Sequence, residues 1–181
     1  MRSNAVKALI VACIFMLFYI WFRFKDIRFA GSAIIALVHD VLVMLTGYAL
    51  IRISVGNTFI ACILTIVGYS INDTIVIFDR IRENMQGMKK QTPETLAEVA
   101  NRSLTQTLSR SLNTSITTII MVLLLFILGV SSIREFALPL MIGLISGTYS
   151  SIFIAAALWY VMKLHLGKDK LMKAAAKTKK K

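Results

Sequence analysis

Apolar residues in this chain gather in runs of about twenty, separated by short polar stretches that carry most of the charge. A run of that length, wound at 1.5 Å per residue, matches a helix crossing a ~30 Å hydrocarbon core. Five such runs are read at residues 5–22, 30–51, 58–78, 112–130 and 138–162. The first closes on Tyr19, Trp21 and Phe22, the position of an interfacial aromatic belt. Backbone groups inside lipid must be satisfied within the segment, and the alternating pattern of a membrane barrel is absent from the sequence. The expected fold class is therefore all-α, a polytopic membrane helix bundle with about five transmembrane helices over residues 1–166.

The polar stretches carry further signals. Residues 79–111 form the longest, read as a loop. Within it Thr92 and Pro93 have the pattern of an N-cap followed by proline at the first helical position, and Leu96, Val99, Ala100 and Leu104 recur at helical spacing. A short interfacial helix is expected there. Shorter connections are read at Ser54 to Asn57 and at Ser131 to Phe136, and residues 167–181 form a basic tail ending in Lys179, Lys180 and Lys181. Lys and Arg crowd the 23–28 turn, the 79–111 loop and the tail, which marks them as the cytoplasmic side. The N-terminus is then outside and the C-terminus inside, although Arg2 and Lys7 at the outer end run against this.

Composition agrees with a bilayer as the main solvent: 57% of residues are apolar and 17% charged, with a mean hydropathy of +0.73. The net charge of +12 follows topology. It forms no stripe interleaved with exposed aromatics, so no nucleic-acid partner is expected. Cys13 and Cys62 both lie inside apolar runs without metal-ligand spacing, and neither a metal nor a cofactor is expected. No small-residue cleavage site follows the first run, which reads as a retained span.

Ionisable residues inside spans cost at least ~2.5 kcal/mol each on insertion scales and are functional candidates by default. His39 and Asp40 fall near the middle of the second span, roughly 14 Å deep. Asp73, with Ser70, Asn72 and Thr74 around it, makes a polar patch on the third. Arg110 opens the fourth, and Asn113, Thr114, Thr117 and Thr118 continue a polar stripe at helical spacing. An acid that faces an arginine across a helix interface can be paired and charged or protonated, which makes Asp73 with Arg110 a candidate proton relay. A static salt bridge fixing helix register is the structural alternative.

The run from Gly68 to Asn84, GYSINDTIVIFDRIREN, closely resembles the signature of the SecF family, the membrane partners of SecD in bacterial preprotein export. Residues 29–41 and 103–115 support the resemblance, which covers nearly the whole chain. It implies one half of a pseudo-symmetric, twelve-span unit similar to the resistance-nodulation-division transporters, placed in the bacterial cytoplasmic membrane. The implied function is coupling the proton-motive force to protein export, with no enzyme activity. Implied partners are SecD, the SecYEG channel, SecA, YajC, YidC, the translocating preprotein and protons. By resemblance Asp73 takes the proton-pathway position and Arg110 that of its charged partner, with Asn72, Thr74, His39, Asp40 and Asn113 as supporting polar groups. The start of the chain is similar to the beginning of the family's second span, so the family's first span and extracytoplasmic domain are expected to lie outside this sequence.

Two other readings compete. An intramembrane aspartyl protease would use Asp40 and Asp73 as a dyad, but Arg110 would favour the ionised form where a dyad needs a proton held. A purely structural subunit would use the buried charges as register marks alone.

Overall fold

The computed structural model describes residues 2–52, 56–86, 88 and 92–166. The expected basic tail at 167–181 lies outside the described residues, as does Ser54 of the expected polar loop. Among the described residues the chain is helical and without strands: α1 (Arg2–Phe24), α2 (Ile27–Ile51), α3 (Asn57–Gln86), α4 (Pro93–Leu128), α5 (Ser131–Tyr149) and α6 (Ala156–Leu166). A π-helical segment, Ser150–Ala155, joins α5 directly to α6.

Four stretches are long and apolar enough to cross a membrane: Ile27–Ile51, Thr58–Gln86, Pro93–Leu128 and Ser131–His165. The apolar part of α1 among the described residues, Ile10–Phe24, is shorter. This is a membrane protein whose exposed surface is largely greasy. Phe15, Phe18 and Phe22 on α1 and Leu123, Leu124 and Leu128 on α4 lie bare, as side chains solvated by lipid can.

Local chemistry sets the helix ends. Lys25 takes φ 52°, and Asp26 caps α2 by accepting from the backbone N–H of Arg28 at 3.1 Å. Arg52 closes α2 in a left-handed conformation, its N–H bonded to the Tyr48 carbonyl. Gly129 stops α4 where a Cβ would press on the carbonyl oxygen of Leu125.

Two expectations need correction. Residues 79–111 are not a loop holding a short separate helix: α3 runs on to Gln86, and α4 begins at Pro93 and continues unbroken to Leu128. The Thr92–Pro93 cap is where the sequence placed it, with Thr92 and Thr95 capping each other reciprocally. Nothing between it and the apolar run stops a helix, so 36 residues extend about 54 Å and carry the first turns past the hydrocarbon core. The Ser131 to Phe136 turn is likewise the first part of α5.

The core is built around α5, which packs against α2, α3 and α4, while α1 lies at the edge against α2 and α3. Small residues let these backbones meet. At Gly143 an added Cβ would collide with Cδ1 and Cγ1 of Ile66 on α3, and at Gly47 one would lie 2.8 Å from Cδ1 of Ile142. At one end of the bundle Phe24, Phe29, Phe78 and Trp159 cluster with ring centroids 4.9–6.0 Å apart, Phe29 stacking on Trp159 and Phe24 meeting Phe78 edge-on. Ion pairs ring that end: Arg23 to Asp79 at 2.9 Å and Lys163 to Asp26 at 3.4 Å.

The α3–α5 contact predicts that Gly143→Ala destabilises the detergent-solubilised chain by about 1–3 kcal/mol. Adding Ile66→Ala makes room for the new methyl, so the double variant should be more stable than the sum of the two single losses. Thermal unfolding of all four forms measures that coupling.

Candidate polar site between the membrane helices

Helical geometry sends residues three and four apart to one face, and on four helices that face is polar and turned inward. Asp40 on α2 is fully buried. Its carboxylate accepts from the hydroxyls of Ser70 on α3 at 2.7 Å, Ser146 on α5 at 2.8 Å and Ser150 at the start of the π segment at 2.7 Å. Nδ1 of His39 lies 3.2 Å from Oδ1. A lone carboxylate in so apolar a setting is very costly; three hydroxyl donors in hydrogen-bond contact are what make it tolerable. The site therefore joins α2, α3 and α5 through one side chain.

The π segment and Gly147 make this geometry possible. A π turn adds a residue to the helix circuit and lets both Ser150 and Ser151 face the interior, each without exposure. Ser150 reaches Asp40, while Ser151 meets the Thr74 hydroxyl at 2.9 Å and the Ser70 carbonyl at 3.3 Å. Gly147 lies under the carboxylate, where an added Cβ would be 3.2 Å from Cβ of Ser70 and 3.7 Å from Oδ2 of Asp40.

Asp73, about a turn further along α3, is held differently. Its Oδ1 accepts from the Ser111 hydroxyl of α4 at 2.6 Å. Its Oδ2 is buried and has no hydrogen-bond partner among the described residues. Tyr69 and Ser115 (3.2 Å) and Ser115 and Thr148 (2.6 Å) extend the seam across α3, α4 and α5.

Of the residues singled out from sequence, Asp40, His39, Asp73 and Thr74 meet in this seam. Arg110, Asn72 and Asn113 do not: all three are exposed. No ion pair or hydrogen bond joins Arg110 to Asp73 among the described residues, where Asp73 bonds to Ser111 instead. The stripe through Asn113, Thr114 and Thr117 lies on the outer face of α4, and the hydroxyls of Thr114, Thr117 and Thr118 bond back to their own helix. The buried stripe is Ser103, Thr107, Ser111 and Ser115, spaced every four residues. That four-residue spacing is legible in the sequence, beside the charged Arg110. Ser146 and Ser150 combine the close helix approach that small residues allow with binding Asp40.

The fold and seam define a class: a polytopic helical membrane protein with two buried carboxylates at its helix contacts. Residues 1–165 match the family described as protein export membrane protein SecD/SecF, C-terminal, and the chain belongs to that family as a SecF-type protein. It is 50% identical over 156 residues to protein translocase subunit SecF of Alicyclobacillus acidocaldarius, covering 86% of this chain and 50% of that one. It is 46% identical to protein translocase subunit SecDF of Bacillus subtilis, covering 90% of this chain and 22% of that one. The crystal structure of SecDF from Thermus thermophilus, described as a translocon-associated membrane protein, superposes with a TM-score of 0.83 at 45% identity, covering 90% of this chain and 22% of that one. The chain thus spans about half the length of the SecF relative and under a quarter of the SecDF chains.

The cage predicts that Ser150→Ala, which leaves a buried carboxylate one donor short, costs about 1–3 kcal/mol. Ser32→Ala, whose hydroxyl bonds only to carbonyls of its own helix, should cost clearly less. Unfolding of the two variants in the same detergent compares them.

Proposed function

We propose that this chain is the SecF-type half of a SecD–SecF membrane unit that couples the proton-motive force to protein export, with Asp73 as the group that takes up and releases the proton. The observation that carries this is the asymmetry of the two buried acids. Asp40 is held by hydroxyls from two other helices, whereas Asp73 has one oxygen bound to Ser111 and the other without a hydrogen-bond partner among the described residues. A half-satisfied buried carboxylate is poised between a protonated form and a charged form that needs a partner.

Arg110 is the cation for the charged form. It lies one residue before Ser111 on α4, exposed on the bundle, as are Asn72 and Asn113. An arginine at membrane depth is costly against lipid, so this face meets a second helix bundle. Fused relatives named SecDF support SecD as that second bundle. In this reading, protonation of Asp73 weakens its attraction to Arg110 and changes how α3 packs on α4. His39, Asp40 and Thr74 hold the neighbouring helices in register while this happens.

The resemblance extends the proposal to the setting. The unit works in the bacterial cytoplasmic membrane beside the SecYEG channel, SecA, YajC and YidC, and acts on the translocating preprotein. The outer N-terminus and cytoplasmic C-terminus follow from the Lys and Arg distribution. A structural subunit that relays no proton is the second reading, favoured by the fully bonded Asp40, which has the character of a packing pin.

Asp73→Asn in the complete partner complex separates the two. Under the relay reading the variant assembles with its partner at normal membrane levels, and export falls to the level seen without a proton gradient. Unchanged export would leave only the structural reading. Asp40→Asn should instead lower the amount of assembled complex, because an amide cannot accept from all the hydroxyls that face it.

A further inference from the structure

At the charged end of the bundle α1, α2, α3 and α6 leave a cavity of ≈ 270 Å³. Phe24, Phe29 and Met85 form its apolar wall, and Arg82, Gln86, Lys163 and Asp26 its polar side. It is separate from the acid seam: Phe29 and Asp40 lie eleven residues apart on α2, about 16 Å.

The charge on the polar side does not balance. Among the described residues Asp26 is the one acid in the lining, and it is shared by Lys163 at 3.4 Å and Arg28 at 3.8 Å. Arg82 donates to the backbone carbonyl of Arg23 at 3.3 Å and pairs with no acid among the described residues. Cations thus exceed anions around a space that also offers the amide of Gln86. The depth is equally specific. The apolar run of α3 ends at Phe78, so Arg82 and Gln86 lie about 6 and 12 Å further along the axis, at the level of the lipid headgroups.

We propose that this cavity holds the headgroup of an anionic phospholipid, with the phosphate between Arg82 and Lys163 and the glycerol end against Phe24, Phe29 and Met85. Apolar wall and cationic side together match an amphiphile; a free phosphate would leave the aromatic wall unused. The chain's own segment after Leu166 fits poorly, since it brings Lys168, Lys170 and Lys173 against one Asp169 toward a site already positive. A bound lipid would fasten the ends of four helices to the membrane surface at the point where the ion pairs Arg23–Asp79 and Lys163–Asp26 already gather them.

The test is lipid retention by the full chain after detergent extraction and exchange into phosphatidylglycerol or phosphatidylcholine, read by native mass spectrometry. The chain should retain phosphatidylglycerol in preference to phosphatidylcholine. Arg82→Gln/Lys163→Gln should weaken that preference by about fivefold per cation removed, and Arg82→Lys/Lys163→Arg, which keeps both charges, should restore it. Unfolding midpoints measured beside each form exclude collapse of the helix ends as the cause of any loss. Equal retention of the two lipids overturns the proposal. So does displacement of phosphatidylglycerol by inorganic phosphate or an acidic peptide, which would make the cavity a site for a simple anion or for a protein segment.

Discussion

A carboxylate at the centre of an apolar bundle is stable only where donors come to it, and around Asp40 that demand fixes three helices at once. The hydroxyls of Ser70, Ser146 and Ser150 reach it from α3, α5 and the π segment, so none of these elements can slide along another without stripping a bond from a buried charge. Between helices in lipid the hydrophobic effect gives little preference for one register over another, and close packing with polar contacts decides it. Asp40 supplies the polar part, while Gly47, Gly143 and Gly147 supply the close approach.

The π segment follows from the same demand. Six residues of wide turn in the middle of a long hydrophobic stretch weaken local backbone bonding, a cost seen mostly at functional positions. Here the wide turn brings Ser150 to Asp40 and Ser151 to Thr74, two contacts to two different helices from adjacent residues. Pro139 in α5, which cannot donate to the preceding turn, lies buried on the same element. The last membrane-length stretch is thus the least regular, and it turns Ser146, Ser150 and Ser151 inward.

Asp73 is the counterpart that this scaffold leaves incomplete. The groups around Asp40 hold it from several helices, while Asp73 has Ser111 on one side and, among the described residues, no partner for its other oxygen. The bundle thus sets an acid bonded from several helices beside one bonded from a single helix. The charged helix ends and their aromatic cluster stand at the far end of α2 and α3.

The sequence by itself determined the solvent, the fold class and the inventory of polar groups, because the length of an apolar run and the cost of a charge in lipid are properties of composition along the chain. It located the Thr92–Pro93 cap and the approximate place of each apolar run. It did not decide which side of α4 is inside: Arg110, Asn113 and Thr117 make one polar stripe, Ser103, Thr107, Ser111 and Ser115 another, and a helical period alone cannot rank them. Nor could it join Ser146 and Ser150 to Asp40 more than a hundred positions away, because nothing in their spacing names a partner. Those choices belong to tertiary structure, where the small side chains on α5 let three backbones close in and only the serine face of α4 is narrow enough to pack against α3.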